Sequence, residues 1–132
     1  MNLMLIIYTD GCCLGNPGKM GIGVAIRRDG KTVKELSQFI GQGTNNIAEY
    51  EAVVRGLEEV KGEKEEILVR SDSKLLIEQI NGRYKVKMPH LKKLKAKVEQ
   101  LIEGKKIRFE HIPREQNEQA DYLSKKGAES GN

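Results

Sequence analysis

The apolar pattern of this chain changes period near residue 44, and that change limits the fold more than any other feature. Before it, residues 3–9 (LMLIIYT), 21–28 (GIGVAIRR) and 32–40 (TVKELSQFI) read as β-strands. The dipeptide Asp29-Gly30 between the last two is a two-residue hairpin signal, so the opening is expected to be an antiparallel meander. From 44 to 60 (TNNIAEYEAVVRGLEEV) the apolar residues Ala48, Ala52, Val53, Leu57 and Val60 recur at helical spacing, with Thr44 or Asn45 as the cap.

The remainder alternates. Residues 66–71 (EILVRS) read as a strand, 73–81 as a helix starting near Ser73, and 88–103 as an amphipathic helix with Pro89 in its first turn. A strand over 106–112 and a helix over 115–128 complete the order βββαβααβα. That order implies an α/β protein with a five-stranded mixed sheet, its first three strands antiparallel, flanked by helices. At 132 residues without a linker or low-complexity tract, 1–132 is expected to be a single domain. The opening MNLMLIIYTD has no basic lead and no small-residue cleavage site, and no apolar run approaches the roughly 20 residues of a membrane span. A cytoplasmic monomer without membrane contact is the expectation.

Two of the strands end alike: IIYTD stops at Asp10 and ILVRSD at Asp72. A carboxylate at the end of an apolar run lies at the carboxyl edge of a sheet, where open α/β sheets form their sites. If the two strands are parallel neighbours, these acids share one crevice; either alone is more often a cap of the element that follows. Glu49 flanks the buried face of its helix beside Ala48 and Ala52, with room opposite for a hydrated ion, a position equally open to an ordinary surface glutamate. Asp121 falls in the first turns of the last helix. His111 ends a strand before Pro113, where an imidazole titrating near neutrality can carry a proton.

A cluster of carboxylates with only two histidines and two adjacent cysteines in the chain does not fit zinc; it fits hard divalent cations such as Mg²⁺. Two such ions can activate water and stabilise the leaving oxygen in phosphodiester hydrolysis. Cys12 and Cys13 read as reduced loop residues. The net charge of +4 is unevenly spread: residues 83–108 hold ten Lys and Arg against Glu99 and Glu103, which leaves the rest of the chain acidic. Such a stripe suits a polyanion, although a solvated lysine-rich helix face has the same composition. The glycine-rich stretch YTDGCCLGNPGKMGIG is not a nucleotide-binding P-loop, because GNPGKMG lacks the G-K-[ST] ending and continues as a strand.

At these residues the sequence resembles the type 1 ribonuclease H family. The matching pieces are YTDGCCLGNPGKMGIG (8–23), GTNNIAEYEAVVRGL (43–57), LVRSDSKLLIEQING (68–82) and HIPREQNEQADYLSKKG (111–127), in the same order. The resemblance implies a ribonuclease H-like fold and a site of Asp10, Glu49, Asp72 and Asp121 binding up to two Mg²⁺ or Mn²⁺ ions. It gives His111 a part in proton movement or product release; many stand-alone relatives lack a histidine there, so its presence favours activity. The implied substrate is the RNA strand of an RNA–DNA hybrid, cut to 5′-phosphate and 3′-hydroxyl ends, with double-stranded RNA as a second candidate partner.

By the same resemblance Thr44 and Asn117 would hold a DNA-strand phosphate, and Asn16, Asn45 and Asn46 would enter the minor groove. The backbone of Gly11, Cys12 and Cys13 would lie along the RNA, where a 2′-hydroxyl separates RNA from DNA and a glycine lets backbone come close. The basic, tryptophan-containing extra helix of some members is missing, and Lys85, Lys87, Lys92 and Lys93 are the candidates to replace it. Lys74 stands where some relatives carry Gln. No hybrid-binding module precedes the match, so weak processivity is expected. Two other readings stay open: a binding module that keeps the fold without cleaving, and a DNA-cutting nuclease on the same sheet, against which the TNN and GNPG elements argue.

Overall fold

The computed structural model describes residues 4–131. Its strands are β1 (Met4–Leu14), β2 (Gly18–Arg28), β3 (Lys31–Gly43), β4 (Glu66–Ser71) and β5 (Ile107–His111). They form one sheet in the order β3-β2-β1-β4-β5, antiparallel from β1 to β3 and parallel from β1 through β4 to β5. The helices are α1 (Asn45–Glu59), α2 (Lys74–Ile80), α3 (Pro89–Ile102) and α4 (Glu118–Glu129), with a 3₁₀ turn at Arg114–Gln116 before the last. Element order and sheet direction are those expected. Leu3, with which the first strand was expected to begin, lies outside the described residues.

Local chemistry explains the boundaries. Asp29 and Gly30 both adopt positive φ (54° and 75°), the geometry of a two-residue hairpin turn, and join Arg28 to its partner Lys31. Thr44 caps α1 by accepting from the Ile47 N–H, and Ser73 caps α2 by accepting from Leu76. Pro89 opens α3, where its missing N–H costs nothing.

The main core lies between one face of the sheet and α1 and α3: Leu5 and Ile7 of β1, Val24 and Ile26 of β2, Ile67 and Val69 of β4, Val53 and Leu57 of α1, and Leu91, Leu94 and Val98 of α3. Packing α1 and α4 this tightly requires glycine. A Cβ on Gly11 would sit 2.2 Å from the Ala48 carbonyl carbon of α1, and one on Gly23 would sit 2.2 Å from the Ala120 oxygen of α4. The strand expected to end at Thr9 before a glycine loop instead continues in register with β2 to Leu14, and Gly11 is small so that α1 can lie on it. The turn proper is only Gly15–Pro17. None of the described helices is long and apolar enough to cross a membrane.

Candidate active site

The parallel register between β1 and β4 places the first two acids. Tyr8 pairs with Arg70, and there the ladder ends. Asp10 and Asp72 each lie two residues further on, so the pleat puts both on one face at the carboxyl edge. The chain leaves β1 by a hairpin toward β2 and leaves β4 toward α2 and β5, which makes this the switch point of the sheet. Asp72 is not the cap of α2; Ser73 takes that task and leaves the Asp72 carboxylate free.

Glu49 joins them from the first turns of α1, accepting a hydrogen bond from the Gly11 N–H that the missing Cβ exposes. Carboxylate oxygens of Asp10, Glu49 and Asp72 all lie within 4.8 Å of one another. Asp121, on α4, borders the same cleft of about 530 Å³ but stands beside that trio rather than within it. Its carboxylate is 3.1 Å from Lys125 Nζ, one turn along α4, and 3.9 Å from Arg114.

The charge of the cluster is under strain. Burial drives Asp10, only 6% exposed, up to about 7, and the neighbouring Asp72 and Asp121 add to the rise against the Ser124 hydroxyl, which donates to it at 2.6 Å. Glu49 is pushed well above the ordinary range, first by burial and then by Asp10, with the Gly11 N–H opposing. Burial also raises Asp72, and the Asn117 amide, Arg114 and His111 pull it back while Asp121 adds to the rise. An all-oxygen set in which like charges crowd, with no sulfur or imidazole in the trio, has the donor chemistry of a Mg²⁺ or Mn²⁺ site.

The other residues singled out by sequence fall in different places. His111 is exposed at the end of β5, paired with Ser71 and so next to Asp72. Gly11, Cys12, Cys13, Asn45 and Asn46 line the cleft. The Asn16 side chain accepts from the Asn45 N–H at 3.1 Å, which fastens the β1–β2 turn to the start of α1. The two cysteines are free, and Cys13 turns away to donate to the carbonyls of Gly15 and Gly43. Asn117 differs from expectation. It is 1% exposed and donates to the Thr9 carbonyl at 2.9 Å, because the 3₁₀ turn tucks it under the end of β1. It cannot present its amide to a phosphate on the surface; it supports the acid site from below.

Within the basic stripe, Arg83 is held by Glu78, Lys95 by Glu99 and Lys97 by Glu58. Lys85, Lys87, Lys92 and Lys93 are exposed, and the first three line a groove of about 600 Å³ between the 82–88 segment and the start of α3. Arg114, Ser124 and Lys125 were not singled out by sequence. The signal existed for two of them, since Ser124 and Lys125 stand three and four residues after Asp121 on one helix face.

Residues 8–127 match the family model described as "Reverse transcriptase-like". The ribonuclease H of Actinobacillus pleuropneumoniae is 35% identical over 92% of this chain and 88% of its own length. LC11-RNase H1, isolated from compost by a metagenomic approach, is 45% identical in its complex with an RNA/DNA hybrid; it superposes with a TM-score of 0.89 over 95% of this chain and 96% of that one. This chain belongs to the type 1 ribonuclease H family. The bifunctional protein Rv2228c of Mycobacterium tuberculosis is 41% identical over 92% of the chain, which spans only 35% of that protein's length.

Proposed function

We propose that the protein is a divalent-metal-dependent endoribonuclease that hydrolyses the RNA strand of RNA–DNA hybrids, leaving 5′-phosphate and 3′-hydroxyl ends. The observation that carries this reading is the carboxylate trio, whose oxygens lie within 4.8 Å of one another in the lining of a 530 Å³ cleft. Asp10, Glu49 and Asp72 would hold Mg²⁺ or Mn²⁺, with Asp121 at the border of the same cleft for a second ion. Bound there, such ions supply an activated water and charge stabilisation at the leaving oxygen.

The chain's own groups do the rest. The Ser124 hydroxyl fixes one oxygen of Asp10, and the Gly11 N–H fixes Glu49, so neither carboxylate must be reoriented when substrate arrives. Arg114 and Lys125 face the cleft and attract the scissile phosphate. His111, exposed beside the Ser71–Asp72 edge, takes up or delivers a proton as product leaves.

Asn45, Asn46 and the Gly11–Cys13 backbone on the cleft rim are suited to a minor groove and its 2′-hydroxyls, with Asn16 holding the adjoining turn. Thr44 caps a 15-residue helix, whose positive end favours a DNA-strand phosphate. Lys85, Lys87, Lys92 and Lys93 would take the backbone further along. The hybrid bound by LC11-RNase H1 supports this choice of substrate.

The test is incubation of wild type and Asp10→Asn with a hybrid labelled on each strand, in Mg²⁺, in Mn²⁺ and in chelator. Metal-dependent loss of the RNA strand alone, abolished in the variant, is expected. Binding without cleavage in either metal would mark the chain as a non-cleaving module, and DNA-strand cleavage would assign it to a different nuclease.

A further inference from the structure

Behind Glu49, in an otherwise apolar core, lies a polar pair that the cleft chemistry does not use. Tyr50 is 1% exposed and its hydroxyl donates to Gln79 Oε1 at 2.8 Å; Gln79, 6% exposed, donates through Nε2 to the Lys85 carbonyl at 3.3 Å. Asn46, Glu49 and Ser73 lie between this pair and the acid cleft. Burying a phenol and an amide is costly unless they are bonded, and leucine-like residues would fill the same volume without that cost. The pair therefore calls for an explanation beyond stability.

Its geometry supplies one. Tyr50 follows the metal-site glutamate on α1, Gln79 lies on α2, and Lys85 belongs to the segment that carries two of the unpaired lysines. The start of that segment is fixed by the Glu78 carbonyl, which accepts from the N–H groups of Arg83 and Tyr84. Further on, Gln79 holds the Lys85 carbonyl while Val86, half-buried, packs on the core. With Val86 turned inward, its neighbours Lys85 and Lys87 are turned to solvent along the groove they share with Lys92.

We infer that Tyr50 and Gln79 form a buried latch that positions the Lys85–Lys87 segment relative to the acid site, and so sets affinity for the backbone of a hybrid substrate. Both are positioning residues: they touch neither the ions nor the reacting phosphate. The inference rests on the hybrid-cleaving reading for its ligand, but the latch itself can be read without turnover.

The experiment compares wild type, Tyr50→Phe and the double variant Tyr50→Phe/Gln79→Met, in which the buried phenol and amide are removed together and only the carbonyl of the exposed Lys85 loses its donor. Amide hydrogen exchange across 83–88 and the Kd for a short RNA–DNA hybrid are measured in chelator over a range of salt. Both variants should show faster exchange confined to that segment and a shallower salt dependence; Kd should rise roughly tenfold in Tyr50→Phe, the size of one lost buried hydrogen bond, and further in the double variant, which also loses the Gln79–Lys85 bond. With metal restored, KM should rise while kcat changes less than twofold. Introduced into Lys85→Ala/Lys87→Ala, Tyr50→Phe should raise Kd no further.

Unchanged exchange and Kd alongside a lowered Tm would show a purely structural pair and overturn the inference. So would a fall in kcat at constant KM, which would place the effect on Glu49. A wild type that binds hybrid but does not cleave it refutes the nuclease reading alone; one that neither binds nor cleaves refutes both.

Discussion

Replacing Asp10 by Asn should make the metal-free protein more stable while destroying its response to metal. Asp10 ionises at an ordinary 3.8 in the unfolded chain and near 7 in the folded one, chiefly through burial and then through Asp72 and Asp121. Between about pH 4 and about pH 7 the native state therefore holds a proton that the unfolded state has lost, and stability falls as pH rises through that window. The gap between 3.8 and about 7, at 1.36 kcal/mol per pH unit, corresponds to about 4 kcal/mol at pH 8. Asn keeps an oxygen for the Ser124 hydroxyl and carries no charge, so it should recover most of that sum, a rise in Tm on the order of 10–20 °C.

The assay is thermal unfolding by circular dichroism from pH 4 to pH 8 in chelator, repeated with Mg²⁺ or Mn²⁺. Wild-type Tm should fall with pH in chelator and recover at pH 8 with metal, by about 2.7 kcal/mol when the ion is at a hundred times its Kd. The Asp10→Asn curve should lie above wild type at pH 8, meet it near pH 4, and respond far less to metal. A variant no more stable than wild type at pH 8, or a wild-type Tm that rises with pH in chelator, would refute the reasoning.

Other outcomes follow from the same structure. Ser124→Ala removes the hydroxyl that lowers Asp10, so a metal titration followed by Tm should show weaker Mg²⁺ binding, and the acidic limb of the pH–rate profile should move to higher pH. Gly23→Ala would place a Cβ 2.2 Å from the Ala120 oxygen and 2.5 Å from the Ser124 nitrogen; with backbone on both sides unable to yield, urea unfolding should report a loss of roughly 2–4 kcal/mol. Lys92→Ala/Lys93→Ala should raise KM for a hybrid and flatten its salt dependence by about one to two in logarithmic slope, with kcat unchanged; an unchanged slope would mean that these lysines only face solvent.

Much of this architecture was legible because it rests on local patterns. The Asp29-Gly30 turn, the Thr44 and Ser73 caps and the apolar stripe of α3 each follow from a few neighbouring residues. Asp10 and Asp72 were legible together because strand ends and parallel pairing fix them by register. What was not legible depends on partners distant in the chain. The glycines of β1 and β2 resemble a loop until α1 and α4 lie across them, and Tyr50 was absent from the expected core because its hydroxyl needs Gln79, 29 residues away. Asn117 was expected at a phosphate because its position in the family pattern was known while its burial was not. Arg114 and Lys125 became part of the site only once folding brought α4 and the turn before it to the edge of β1.

The central claim is that the carboxylate cluster uses metal to direct water, rather than the RNA's own 2′-hydroxyl, at the phosphodiester. Analysis of the chain ends produced from the RNA strand of a hybrid tests this most directly. 5′-Phosphate and 3′-hydroxyl ends should form, and only with Mg²⁺ or Mn²⁺. Products ending in 2′,3′-cyclic phosphate, or cleavage that persists in chelator, would contradict it.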